Sequence, residues 1–484
     1  MRKIVIDPIT RLEGHGKIVI FLDESGGVEN AYLQIPELRG FEKFCIGRKA
    51  EDMPLLTSRI CGVCPVAHHM AGTKALDAAF HVEPPEPAKK LRELMYCGYI
   101  IYDHILHFYY LGGPDFIVGP RSPPEKRNIL GVIESVGLDV SKEVIKHRAY
   151  GQRMVEIIGG KATHPVCGLP GGLSKPLSEG ERQEIERMAS SSVEFAKFTL
   201  ELFHKIVLEN TEYVDLIKSD IYSLRTYYMG LVDKENKLNF YDGKIRVVDS
   251  SGNEFEKFDA KDYLDHIAEH VEEWTYVKFP YLKRVGWKGF IDGPDSGIFR
   301  VGPLGRLNAS EGLASPLAQE EYKLMYKTLG GKPVHSTLAY HWARLIELLY
   351  AAERAVELTR DPEITSKDVR NKPGEPGEGI GVVEAARGTL IHHYSLDENA
   401  LVKDVNLIVA TVNNAPSINM SIRNAAKGLI HGGYVDESLL NMVEMAFRAY
   451  DPCFGCATHF AIGQMPLTIE IYNSGGKLIK KLQR

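Results

Sequence analysis

Two Cys-x-x-Cys pairs stand near opposite ends of this 484-residue chain. Cys61 and Cys64 lie in Arg59-Ile60-Cys61-Gly62-Val63-Cys64-Pro65. Cys453 and Cys456 lie in Asp451-Pro452-Cys453-Phe454-Gly455-Cys456-Ala457-Thr458-His459. Two-residue spacing lets both thiolates of a pair turn toward one ion. Because 388 residues lie between Cys64 and Cys453, only the tertiary fold can unite the pairs. A chain that must close a four-thiolate pocket across its length is not divisible into independent domains, and four thiolates suit a soft transition metal.

Composition narrows the class. Hydrophobic residues make up 44% and charged residues 25%, as in an ordinary globular protein with a large core. A net charge of −6 gives no support to general nucleic-acid binding. The N-terminal run Met1 to Pro8 is too short for a signal-peptide core, and no apolar run reaches membrane-spanning length. These features predict a cytoplasmic protein without a membrane span. Seven cysteines are too few and odd in number for a disulfide framework. Cys45, Cys97 and Cys167 are isolated and read as buried, inert thiols.

Local patterns predict a mainly α chain with small β elements (α+β), built on a large helical core. Strands at 17–23 and 28–35 flank Glu24-Ser25-Gly26-Gly27, a hairpin turn. Helices follow the first cysteine pair at 67–80 and 88–111. In the second of these, Leu91, Leu94, Met95, Ile101, Ile105 and Phe108 form one stripe. Residues 178–230 read as long helix. A second hairpin is predicted at 244–258, another helix at 335–359, a loop at 371–377, and a helix at 439–450 that delivers the second cysteine pair.

Several chemistries use such pairs. Structural zinc ribbons place them only about 15–20 residues apart. A thioredoxin-like pair leaves the second Cys-x-x-Cys unexplained. An iron or iron–sulfur site also takes four thiolates. The flanking residues favour a redox-active centre. Arg59 to Pro65 with His68, and Asp451 to Cys456 with His459, resemble the N- and C-terminal metal signatures of nickel–iron hydrogenase large subunits. Arg11-Leu12-Glu13-Gly14-His15, Arg39-Gly40-Phe41-Glu42, Asp103 to Tyr109 and Glu384 to Gly388 agree. The resemblance runs from Asp7 to His459. It is greatest to the cytoplasmic archaeal and bacterial group that includes the deazaflavin-nonreducing, viologen-reducing enzymes.

The resemblance implies roles residue by residue. Cys61 and Cys453 would be terminal nickel ligands; Cys64 and Cys456 would bridge nickel and an iron carrying carbon monoxide and cyanide. Glu13 would take a proton from Cys453. Arg387 would lie over the metals, held by Asp103 and Asp451, although Ala386 stands where the family often has proline. Ser417, read as part of a loop with Pro416, would donate to a cyanide. His68 would hydrogen-bond a bridging sulfur, whereas His392 and His393 read as ordinary core or surface residues. Glu42 and His459 would bind magnesium.

Residues 1–459 are expected to form one unit. The family is cut after its final histidine, here between His459 and Phe460, so 460–484 reads as a removable tail with a hairpin pattern. The implied activity is reversible heterolytic cleavage of dihydrogen. The implied partners are an iron–sulfur small subunit, a further electron acceptor such as a heterodisulfide reductase, a maturation endopeptidase and metal-insertion proteins. Two rivals use the same fold or motif differently: a metal-free scaffold like the homologous respiratory complex I subunit, and a structural zinc protein.

Overall fold

The computed structural model describes residues 2–459, 468–472 and 477–483. Its centre is a set of long helices. Tyr340–Thr359 is buried along most of its length and packs against both Glu86–Leu106 and Glu179–Phe203. Glu86–Leu106 in turn lies along Leu138–Gly159. The apolar stripe read in the sequence is the buried face of Glu86–Leu106, where Leu91, Leu94, Met95, Ile101 and Ile105 are inaccessible or nearly so. That helix continues into a π-helical segment, His107–Gly112. Among the described residues, no helix is long and apolar enough to cross a membrane.

Small sheets attach to this core. Arg2–Ile6, Lys17–Leu22 and Val28–Gln34 form an antiparallel meander. Lys244–Val248 and Glu254–Phe258 form the predicted second hairpin. A third antiparallel sheet, Glu378–Ala385, Gly388–Leu396 and Val402–Ile408, carries the helix Pro65–Ala79 on one face. Glycine makes that approach possible. A Cβ at Gly379 would meet Ala75 O at 2.2 Å, and one at Gly381 would meet Ala71 O at 2.2 Å. The helix backbone therefore rests directly on the strand, which fixes Cys64, its N-cap residue.

Two expectations are corrected. Residues 178–230 are not one helix. Glu179–Phe203 is followed by a π segment, His204–Leu208, and then by Thr211–Lys218, capped by the Asn210 side chain. Tyr227–Val232 is a fully buried strand pairing with Lys244–Val248. A short, wholly apolar run has no period that separates buried strand from buried helix. Pro416 and Ser417 are not in a loop but inside the helix Ala410–Leu429. Asn and Ser break helices when they bond their own backbone. Here Asn413 donates to Thr389 O at 2.8 Å, and Asn414 accepts from Val301 N–H at 2.9 Å.

In the tail, Thr468–Tyr472 and Leu478–Gln483 pair antiparallel, as the hairpin pattern predicts. Phe460 and the remaining tail positions lie outside the described residues.

Candidate metal centre

The two cysteine pairs meet. Cys61 Sγ lies 3.4 Å from Cys453 Sγ, Cys64 Sγ lies 3.4 Å from Cys456 Sγ, and Cys453 and Cys456 are 2.8 Å apart. All four sulfurs fall within 4.8 Å of one another and all four residues are buried. Local structure aims them. Cys61 leaves the turn Ser58–Ile60 in extended conformation, and its sulfur accepts from Val63 N–H at 3.2 Å and Cys64 N–H at 3.3 Å. Pro65 follows Cys64 in the first turn of its helix, where a missing N–H costs nothing. Cys453 N–H donates to Thr411 Oγ1 at 3.0 Å, and Cys456 lies in the short helix Phe454–Ala457.

The pairs are joined through other segments. Glu13 and Cys453 form a parallel β-bridge, with Phe454 N–H donating to Glu13 O at 2.9 Å. Arg39 Nη1 donates to Ile60 O at 2.6 Å and to Gly455 O at 2.9 Å, so one guanidinium clips both loops. Glu13 Oε2 sits 2.9 Å from Cys453 Sγ and accepts from Gly455 N–H at 2.9 Å. Burial pushes the Glu13 carboxyl above its ordinary value.

The donor chemistry fits a soft cation. Hydrogen bonding from Cys453 holds the Cys61 thiol well below its usual range, while burial pushes Cys453 and Cys456 well above theirs. Four buried sulfurs this close cannot all ionise unless positive charge replaces their protons. A thiophilic metal supplies that charge.

Arg387 is buried close enough to this nest to feel the charge of Cys64. Its Nη1 donates to Asp103 Oδ2 at 2.7 Å, Nη2 lies 2.8 Å from Asp451 Oδ2, and Nε donates to Asp451 O at 3.1 Å. Asp451 takes a left-handed φ of 58°, which Asp tolerates better than most residues. Burial pushes the Asp103 carboxyl up to about 7 despite the arginine. Arg387 stays cationic against burial because these two carboxylates flank it.

A chain of imidazoles backs the second pair. His68 Nε2 lies 3.7 Å from Cys456 Sγ, His68 Nδ1 is 3.1 Å from His392 Nε2, and His392 Nδ1 is 2.6 Å from Tyr394 Oη. Burial holds His68 down to about 4 and His392 well below its usual range, so both rings are neutral. The expectation that His392 is an ordinary core residue is thus incomplete. Its meeting with His68, 324 positions earlier, has no local mark in the sequence. Arg39, Thr411 and Tyr394 likewise carry no local sequence signal of the contacts they make here.

Glu42 and His459 are also together. His459 Nε2 lies 2.6 Å from Leu407 O and 3.7 Å from Glu42 Oε1, and His459 Nδ1 is 2.8 Å from Cys456 O. Leu407 N–H donates to Glu42 Oε1 at 2.9 Å. Ser417, in contrast, donates to Phe299 O at 3.2 Å.

A buried four-sulfur nest with a carboxylate on one sulfur and a buried arginine nearby defines a class. Residues 39–119 and 142–459 match the family described as nickel-dependent hydrogenase, and residues 3–38 match a model described as HoxL-like. The chain belongs to the nickel-dependent hydrogenase family and is a nickel–iron hydrogenase large subunit. It is 49% identical to an F420-non-reducing hydrogenase protein of Archaeoglobus profundus, with 100% of each chain covered. It is 39% identical to the beta chain of the NAD-reducing hydrogenase HoxS of Cupriavidus necator, again over 100% of each. The solved NAD+-reducing [NiFe]-hydrogenase in its H2-reduced state aligns with a TM-score of 0.89 at 38% identity, covering 95% of this chain and 100% of that one.

Proposed function

We propose that this chain cleaves dihydrogen heterolytically and reversibly, with Glu13 receiving the proton at Cys453 Sγ. The carrying observation is the 2.9 Å approach of Glu13 Oε2 to that sulfur. Cys61, Cys64, Cys453 and Cys456 would hold nickel, with Cys64 and Cys456 shared with iron. When bound, the metals supply an electrophilic, redox-active centre. Glu13 is only half-buried, so it can pass a proton from the buried sulfur toward solvent. Arg387, held by Asp103 and Asp451, stabilises negative charge that develops in a dry site. His68 directs its Nε2 edge at Cys456 and tunes that sulfur.

The iron of this reading carries carbon monoxide and cyanide, which requires dedicated metal-insertion proteins. Ser417 is left out of the set, because its hydroxyl is spent on Phe299. Glu42, His459 and the Leu407 carbonyl would hold magnesium; Glu269, close enough to feel both Glu42 and His459 and paired with Lys278 at 3.1 Å, adds negative charge there. Exposed Arg59 and Gly62 beside buried Cys61 support docking of an iron–sulfur small subunit there. Among the described residues no second group of metal-binding side chains offers an electron relay. A heterodisulfide reductase in the cytoplasm is the acceptor in this reading, and an endopeptidase removes 460–484 after His459.

The test is deuterium–proton exchange by the purified complex. Glu13→Gln should abolish exchange while nickel and iron remain bound. Undiminished exchange in that variant would eliminate Glu13 as the proton acceptor.

A further inference from the structure

Arg387 is held directly by Asp103 and Asp451, and a second set of buried charges stands on the same elements. Arg306 grips Glu347 bidentately, Nε to Oε1 at 2.7 Å and Nη2 to Oε2 at 2.7 Å. Its Nη1 reaches Glu384 Oε2 at 2.8 Å and Ala385 O at 2.6 Å. His104 Nε2 donates to Glu347 Oε2 at 3.0 Å. All four residues are inaccessible to solvent.

These contacts close a circuit. His104 follows Asp103 in the helix Glu86–Leu106, and Glu384 stands three residues before Arg387 at the turn between Glu378–Ala385 and Gly388–Leu396. The path Arg387–Asp103–His104–Glu347–Arg306–Glu384 therefore returns to the turn from which it began. The remaining carboxylate is reached from the same helix as Glu347. Arg344, one turn earlier, donates to Ala449 O at 3.0 Å, two residues before Asp451. Further bonds remove the turn's freedom. Thr389 Oγ1 donates to Glu384 Oε1 at 2.7 Å, Leu231 N–H donates to the same oxygen at 2.9 Å, and Ala386 N–H donates to Tyr99 Oη at 3.0 Å.

Stability alone does not explain this set. Burying a charged pair costs about as much desolvation as its attraction returns, and apolar replacements are often as stable. Bidentate, fully enclosed pairs do fix geometry. We propose that Arg306, Glu347, Glu384 and His104 are positioning residues that set where the Arg387 guanidinium lies relative to the four sulfurs. This rests on the reading of Arg387 as the cation that acts at the metal centre.

The experiment compares Arg306→Lys, which keeps the charge and loses the fork, with Glu384→Gln, which keeps the shape. Both are made in the complete complex, alone and combined with Arg387→Lys. Crystal structures should show the Arg387–Asp103 contact opened beyond hydrogen-bond distance in each single variant. kcat for dihydrogen should fall at least tenfold at unchanged KM, with wild-type nickel and iron content. A misplacement of about 1 Å in a site can cost about 100-fold. In the Arg387→Lys background the same changes should cost nothing further. The proposal is overturned if Arg387 stays on Asp103 in whichever variant folds, or if the losses multiply with Arg387→Lys. A metal-loaded wild type that does not turn over dihydrogen would sink the hydrogenase reading instead, and the crystallographic position of Arg387 would still decide the frame.

Discussion

Gly381→Ala tests how the first cysteine pair is placed. The added Cβ would lie 2.2 Å from Ala71 O and 2.4 Å from Ala75 N, against an ordinary contact distance of 3.4 Å or more. Both opposing atoms are backbone of Pro65–Ala79, so no rotamer change relieves the clash. The helix must retreat from the sheet by about 1 Å, an overpacking that costs about 1–3 kcal/mol. Cys64 and His68 move with it, and the sulfur nest widens. Calorimetry should show a lower melting temperature, and elemental analysis should show nickel well below one per chain. Gly180→Ala is the control: its Cβ meets nothing within 4 Å, and the position lies in the first turn of Glu179–Phe203. It should melt at or above the wild-type temperature. If Gly381→Ala matches the wild type in both melting and nickel, the helix does not depend on the glycine seam.

Three further outcomes follow from burial and charge. His69 uses both nitrogens as a neutral ring, donating from Nδ1 to Pro54 O at 3.1 Å and accepting Gly168 N–H on Nε2 at 2.9 Å. Burial lowers it from 6.5 to about 4. Between those values the unfolded chain binds the extra proton, so stability is complete above pH 6.5 and is lost as pH falls toward 4. His69→Gln should reduce that acid slope by one proton in urea titrations across the window; an unchanged slope would exclude this histidine. Burial pushes the Cys45 and Cys167 thiols up to about 12, so neither should react with iodoacetamide at pH 8 in the folded chain. Labelling of either by peptide mass mapping would contradict the packing. Arg39→Ala should release the two cysteine loops from each other and lower nickel retention with little change in secondary structure by circular dichroism. Unaltered nickel content would show that the Glu13–Cys453 bridge alone suffices.

The site was more legible in the sequence than the frame that supports it. Cys-x-x-Cys spacing is local, so the four sulfurs that meet could be read directly, and the motifs around Glu13, Arg387 and His459 pointed to residues that lie near them. The helix Pro65–Ala79 announced itself by its helical composition, and Glu86–Leu106 by a single apolar stripe. Tyr227–Val232 did not, because every side chain in it is buried and no alternation survives. Pro416 and Ser417 misled for a related reason. The neighbouring asparagines satisfy distant backbone groups, and nothing local in the sequence reports that. His392 meets His68 across 324 positions, and Arg306 meets Glu347 and Glu384 across 41 and 78, pairings that no local pattern in the chain marks.

The distance between the cysteine pairs is also a delay. Cys453 follows its partner Cys61 by 392 positions. At about 5–20 residues per second of synthesis, the first thiols wait roughly 20–80 seconds before the second pair exists. Glu13 waits longer still, 440 positions, for Cys453 itself. During that interval the chain has half a pocket, open to oxidants and to any stray thiophilic ion. The four-sulfur pocket therefore cannot exist until residue 456 is made, and a ribosome that stalls short of it releases a chain without the complete site.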